Sequence, residues 1–128
     1  MTIVVLDGFT LNPGDNPWTE LEELGEVRVY DRSTPAEVRE RAAQADILLT
    51  NKTPLQQEMI QHAHRLKFVS VLATGYNIVD IAAARQYGIV VSNVPDYGTN
   101  TVAQFVMGLL LELCLRIGDH SRAVQGGA

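Results

Sequence analysis

Short apolar runs alternate with amphipathic stretches along most of the chain. Thr2–Leu6 is a continuous run of β-formers closed by Asp7-Gly8, the pattern of a buried strand. Phe9–Asn16 contains Asn12-Pro13-Gly14-Asp15, a turn composition. Pro17–Leu24 predicts a short helix, with Asn16 as N-cap and Pro17 at its first position. Glu26–Asp31 alternates Val27 and Val29 with Arg28 and Tyr30, as a strand near a sheet edge would. Thr34-Pro35-Ala36-Glu37 is a capping box that opens a helix through about Ala43. Ile47-Leu48-Leu49 follows as a third strand. Thr53-Pro54-Leu55-Gln56 repeats the capping grammar and predicts a helix to about Ala63. Leu66–Leu72 is a fourth strand. Asp80 caps an Ala-rich helix that Gly88 ends, and Ile89-Val90-Val91 is a fifth strand. Asn93–Asn100 is a loop, and Thr101–Ile117 is the longest helix. Beyond it, Gly118 to Ala128 shows no clear element.

Strand and helix alternate throughout, so the expected class is α/β with a doubly wound parallel sheet. Five strands in this rhythm suit the flavodoxin-like order 2-1-3-4-5. Right-handed crossovers then place helices on both faces, and all strand carboxyl ends share one rim. Ligands of such folds sit at that rim. The segments expected there are Asp7-Gly8, Thr50-Asn51-Lys52-Thr53, Ala73-Thr74-Gly75-Tyr76-Asn77 and Asn93-Val94-Pro95.

The long helix is unusual. Val102, Phe105, Val106, Leu109 and Leu113 form one apolar face, while Met107, Leu111, Cys114 and Leu115 lie largely on the other. A sheet can bury one such face, so the second calls for another domain or another chain. The expected division is therefore residues 1–100 as the sheet domain and 101–128 as a connecting helix. A homodimer through helix 101–117 is one way to cover the bare face.

Composition narrows the functions. The chain has 128 residues, 46% hydrophobic and 20% charged, enough for one domain with a core. A net charge of −5 argues against nucleic acid and anionic membranes as partners. The apolar stretch from Val102 to Leu115 is too short to cross a bilayer. The one cysteine, Cys114, excludes an intrachain disulfide, fits a reducing compartment such as the cytoplasm, and reads as a packed thiol. His62 and His64 are two apart and do not share a helix face, so no metal site is expected. No two of the ten glycines are spaced G-x-G, so neither the dinucleotide turn nor the P-loop is present. A flavin-binding role is disfavoured because Gly8 to Asn16 lacks a Ser/Thr-rich phosphate loop. A phospho-receiver role is set aside because strand three ends in Thr50-Asn51-Lys52 with no acceptor Asp.

Three motifs in order carry a specific resemblance. They are Val71-Leu72-Ala73-Thr74-Gly75-Tyr76-Asn77-Ile78-Val79-Asp80, Ala82-Ala83-Ala84-Arg85 with Gly88-Ile89, and Ser92-Asn93-Val94-Pro95 through Thr101-Val102-Ala103-Gln104. Together they resemble the D-isomer-specific 2-hydroxyacid dehydrogenases. Val5-Leu6-Asp7-Gly8 and Asn51-Lys52-Thr53-Pro54-Leu55 look most like the glycerate dehydrogenase (hydroxypyruvate reductase) branch. The resemblance implies the substrate-binding portion of a two-domain enzyme that uses NAD(H) or NADP(H). It implies a small 2-hydroxy or 2-keto acid as substrate and a separate Rossmann coenzyme domain as partner. The family's catalytic Arg, Glu and His belong to that other part, so no catalytic residue is expected here. Hydride transfer by this chain alone, or coenzyme bound to it, is not expected. The alternative is a stand-alone flavodoxin-like binding or self-associating module.

The same resemblance assigns the substrate carboxylate to the loop of Ala73, Thr74 and Gly75. The competing reading of that loop is a turn that needs Gly75 for its backbone angles. Lys52 either steers a carboxylate or is a solvated lysine; Tyr76 either walls the pocket or shapes the loop. Thr101 opens the long helix at a position that faces the coenzyme cleft in the family, and it otherwise serves as a cap.

Overall fold

The computed structural model describes residues 1–12 and 14–127. The chain divides into two compact units, Met1–Pro95 and Asp96–Ala128.

The first unit holds β1 (Thr2–Val5), α1 (Thr19–Glu22), β2 (Glu26–Val29), α2 (Pro35–Gln44), β3 (Ile47–Thr50), α3 (Gln57–Ile60), β4 (Phe68–Val71), α4 (Ile81–Gln86) and β5 (Val90–Ser92). The strands form one sheet in the order β2-β1-β3-β4-β5, as the alternation predicted. Every pairing is parallel, with Val4 opposite Leu48, Leu48 opposite Val69 and Val69 opposite Val91. A central parallel strand has helices over both faces, which is why β1 is buried at every position and apolar from Ile3 to Val5.

The two faces are unequally built. Val4, Leu48, Val69 and Val71 pack with Val38 and Ala42 of α2, Ile60 of α3 and Ala83 and Ala84 of α4. Ile3, Val5 and Leu49 face the other way, against Trp18 and Leu21 at α1. Each Leu or Val taken fully out of water contributes about 1.5–3 kcal/mol, so the three-helix face carries most of the stability.

Two predicted helix starts are confirmed. Thr34 and Glu37 exchange both capping-box hydrogen bonds at α2. Asp80 accepts from the Ala83 amide at 2.9 Å, and Gly88 ends that segment at φ 70°. Two others are corrected. Asn16 does not cap α1; its amide donates to Asn12 Oδ1 at 3.2 Å and its carbonyl accepts from Asn12 Nδ2, so it is committed to the loop. The helix consequently starts at Thr19, after an uncapped Trp18. Part of the predicted Asn12–Asp15 turn, Pro13, lies outside the described residues. Thr53 does not open α3 either. Its amide is taken by Asp7, and Leu55 forms a parallel bridge with Val79, so residues 53–56 run extended and the helix is only Gln57–Ile60.

The second unit holds α5 (Thr99–Leu115) and α6 (Ile117–Gln125). The predicted single helix to Ile117 is broken at Arg116, which is left-handed at φ 49°. That conformation costs about 1–2 kcal/mol for a residue with a side chain. The Arg116 guanidinium bonds Asp119 at 2.6 Å and Glu112 receives the Gly118 amide at 3.1 Å, contacts that hold the corner. α6, unforeseen from sequence, follows it. No residue of α5 is buried, and Cys114 is exposed rather than packed. Among the described residues, no single helix is long and apolar enough to cross a membrane.

At the amino-terminal edge of the sheet, Asp46 accepts the Thr2 amide at 2.7 Å and pairs with Arg65 at 3.0 Å. The Thr2 hydrogen bond, then Arg65, holds its carboxyl below the usual value; the Thr34 bonds, then Arg41, do the same for Glu37. Both groups bind a proton more readily unfolded than folded. Their stabilisation is therefore full above the ordinary carboxylate range and is lost as pH falls through and below it. Thermal melts between pH 7 and pH 3 are expected to show this acid loss, and Asp46→Asn is expected to make it shallower.

Candidate functional site

Because all strands are parallel, their carboxyl-end loops share one rim. The loop after β4 is fixed from its neighbour. Val94 N donates to Ala73 O at 3.1 Å, Thr74 Oγ1 donates to Val94 O at 3.0 Å, and Asn93 Nδ2 donates to Thr74 O at 2.8 Å. Ala73 is buried beneath these bonds. The carbonyls and the Thr74 hydroxyl proton are thus engaged, whereas the amide N–H groups of Thr74, Gly75 and Tyr76 meet no acceptor among the described residues. Exposed, unpartnered N–H groups of this kind can donate to an anion.

Gly75 is informative for what it does not need. The left-handed glycines among the described residues are Gly14, Gly88 and Gly127, not Gly75. A Cβ on Gly75 would meet only Asn77 Oδ1, at 3.4 Å. The turn reading of this glycine therefore loses its physical basis. A small residue here leaves the neighbouring amides open to a ligand.

The loop after β3 lies beside it, since Thr50 pairs with Val71 and the Leu72 amide donates to Thr50 O at 2.8 Å. This loop is held from below by Asp7, which follows β1 and is buried. The Asp7 carboxylate accepts from Asn51 N at 2.9 Å, Lys52 N at 2.5 Å and Thr53 N at 3.0 Å. Asn51 Nδ2 also reaches Thr10 Oγ1 at 3.0 Å. The Lys52 side chain is solvent-facing and makes no ion pair among the described residues. From sequence, Asp7 is placed on the rim after strand one and within the Val5-Leu6-Asp7-Gly8 motif, without a partner. The available signal was a lone acid closing an otherwise apolar strand.

Lys52, Ala73, Thr74, Gly75 and Tyr76 therefore fall on two adjacent loops of one rim. Tyr76 is 54% exposed and also edges a groove of about 410 Å3 between α4 and β5, lined by Ile81, Arg85, Ser92 and Asn93. Thr101 belongs to the second unit. It is not a cap, since α5 begins at Thr99 with Gly98 preceding it; Thr101 instead borders an exposed hollow with Gln104, Phe105 and Leu109. Among the described residues, no three His, Cys, Asp or Glu side chains converge as a metal site. His62 is occupied by the Glu58 carbonyl at 2.7 Å and by Arg39 at 3.1 Å.

A parallel sheet of order 2-1-3-4-5 with helices on both faces defines a flavodoxin-like α/β domain. Residues 3–120 match the family described as D-isomer specific 2-hydroxyacid dehydrogenase, catalytic domain, and the chain belongs to that family. It is 50% identical over 130 aligned residues to a hydroxypyruvate reductase from Blautia hydrogenotrophica, covering 99% of this chain and 40% of the relative. It is 37% identical over 103 residues to a glycerate dehydrogenase from Methylorubrum extorquens, covering 80% and 33%. A solved acyclic imino acid reductase in complex with NADPH and D-Arg superposes with a TM-score of 0.81 at 27% identity, over 100% of this chain and 42% of that one. The chain thus spans about 40% of the length of the first of these relatives.

The turn after β1 does not fit a dinucleotide's pyrophosphate. Gly8 stands after β1, where a pyrophosphate turn would lie, but a Cβ there would meet Val29 Cγ1 at 2.7 Å. That close approach is protein against protein and leaves no cradle for a phosphate. The contrast between the two glycines is testable by denaturant unfolding. Gly75→Ala is expected to stay within about 1 kcal/mol of wild type, whereas Gly8→Ala is expected to cost about 1–3 kcal/mol through overpacking.

Proposed function

We propose that this chain is the substrate side of an NAD(P)-dependent D-2-hydroxyacid dehydrogenase acting on a small 2-hydroxy or 2-keto acid of the glycerate/hydroxypyruvate type. The observation that carries this reading is the pair of unpartnered amides at Thr74 and Gly75 on the rim of a central strand. These N–H groups donate to the substrate carboxylate, and Lys52 adds a positive charge from the neighbouring loop. Tyr76 borders the same position. The relatives' names support the glycerate/hydroxypyruvate assignment. Binding and orienting the carboxylate is the whole of this chain's part. The coenzyme, and the Arg, Glu and His that the resemblance assigns to proton and carbonyl chemistry, belong to a separate coenzyme domain. Thr101 faces that cleft in this reading, and the protein works in the cytoplasm.

NMR titration with hydroxypyruvate is expected to shift the amides of Thr74, Gly75 and Tyr76 in a saturable way. Lys52→Met is expected to weaken the interaction by about 3–10-fold, the worth of a partly screened charge contact. Saturation elsewhere on the chain, with these amides unmoved, would refute the assignment.

A second reading, self-association, is favoured by one observation. α5 presents Phe105, Val106, Leu109, Leu111 and Leu113 at 46–79% exposure, on more than one side of the helix. Apolar area of this extent is characteristic of an interface. Sedimentation velocity is expected to show a concentration-dependent dimer that Leu109→Lys abolishes. A monomer at every concentration would sink that reading.

A further inference from the structure

Asp7 is the one acidic side chain among the described residues that is buried, and it forms no salt bridge there. Its charge is met wholly by backbone, through the consecutive amides of Asn51, Lys52 and Thr53. An ionised carboxylate accepts at both oxygens and so can take three donors together. A buried charge is tolerated only when it is satisfied in this way. The three donors are successive residues of a loop that is otherwise pinned only at its margins. Thr50 Oγ1 donates to Thr53 O at 2.9 Å, and Asn51 Nδ2 donates to Thr10 Oγ1 at 3.0 Å. The position from which the Lys52 side chain departs is therefore set from beneath by Asp7.

We propose that Asp7 is a positioning residue for anion capture: its carboxylate fixes the 51–53 loop so that the Lys52 ammonium stands over the rim beside the Thr74 and Gly75 amides. The proposal rests on the substrate reading given above. Asp7 does not touch the ligand. It converts a flexible loop lysine into a preorganised one, which lessens the ordering cost of binding. Charge repulsion between Asp7 and the incoming carboxylate is muted, because three N–H dipoles already point at Asp7.

The test compares Asp7→Asn, Lys52→Met, the double variant and Asp46→Asn. Asp46 is an apt control, since it also holds a backbone amide by its carboxylate, but at the opposite edge of the sheet. Three quantities are measured on each: thermal stability, hydrogen exchange at the Asn51, Lys52 and Thr53 amides, and hydroxypyruvate affinity read at Thr74 and Gly75. Asp7→Asn retains one acceptor oxygen and sets an NH2 against backbone donors. It is expected to speed exchange at the three amides and to weaken binding by at least about 3-fold, up to the loss seen on removing Lys52. On the Lys52→Met background, Asp7→Asn is expected to add little. Asp46→Asn is expected to lower stability and leave affinity unchanged.

The proposal is overturned if Asp7→Asn leaves affinity intact, if it weakens binding equally without Lys52, or if Asp46→Asn weakens binding as much. Should Asp7→Asn fail to fold, Asp7→Glu keeps the charge and shifts it by one methylene, and the same ordering is expected at smaller amplitude. A folded Asp7→Glu protein with fast-exchanging amides and wild-type affinity would also overturn it. Absence of any hydroxypyruvate shift in the wild-type chain is a different result. It defeats the substrate reading and this proposal with it, whereas wild-type binding with an inert Asp7 defeats this proposal alone.

Discussion

Every strand pair in the first unit is parallel, and the placement of the site follows from that constraint. Parallel pairing requires a crossover after each strand, so every carboxyl-end loop emerges on the same rim. The rim at β1, β3 and β4 gathers Asp7, Lys52 and Thr74-Gly75 from separate parts of the chain. Their proximity needs no long-range polar contact between side chains. It is a consequence of apolar residues such as Val4, Leu48 and Val69 being opposed in register beneath α2, α3 and α4.

The same register explains where a charge can be buried. Val5 and Leu49 are opposed, so the residues just past them, Asp7 and Asn51–Thr53, emerge side by side. An acid at that point finds backbone donors that have left the ladder and have no strand partner. A carboxylate there substitutes for the missing strand acceptors and carries the order of the sheet one step into the loops. The loop after β4 shows the complementary arrangement. Its carbonyls are engaged by Val94 and Asn93 while its amides at Thr74 and Gly75 stay open. One loop is thus closed by an internal anion, while the next keeps its amides open.

What was legible in the sequence follows the range of the interactions. Thr34 with Glu37 and Asp80 with Ala83 are contacts three residues apart, and both caps are where the pattern put them. The strand order followed from the alternation, which for five strands suits the flavodoxin-like arrangement. The errors at Thr53 and Asn16 share a cause. In each case a side chain or backbone group from elsewhere took the atoms that a cap would have used: Asp7 at 46 residues' separation for Thr53, and Asn12 for Asn16. The break at Arg116 was illegible because a left-handed non-glycine residue carries no sequence signature. For the site, the loop after β4 could be placed from its strand, whereas the absence of a left-handed φ at its glycine was visible only in the structure. The clamp by Asp7 needed the β1–β3 register, which the apolar pattern does not number.

On the proposed substrate reading, an acidic chain and a carboxylate ligand are compatible for a reason of distance. The net charge of −5 is spread over a surface where charges more than about 8 Å apart are screened at physiological ionic strength. On that reading the Thr74 and Gly75 amides and the Lys52 ammonium act at hydrogen-bond range, where screening is weak. Asp7 itself is buried, with its charge absorbed by three amides. Affinity at such a site depends on local dipoles and on how firmly they are held, and the sign of the whole chain mainly tunes the rate of encounter.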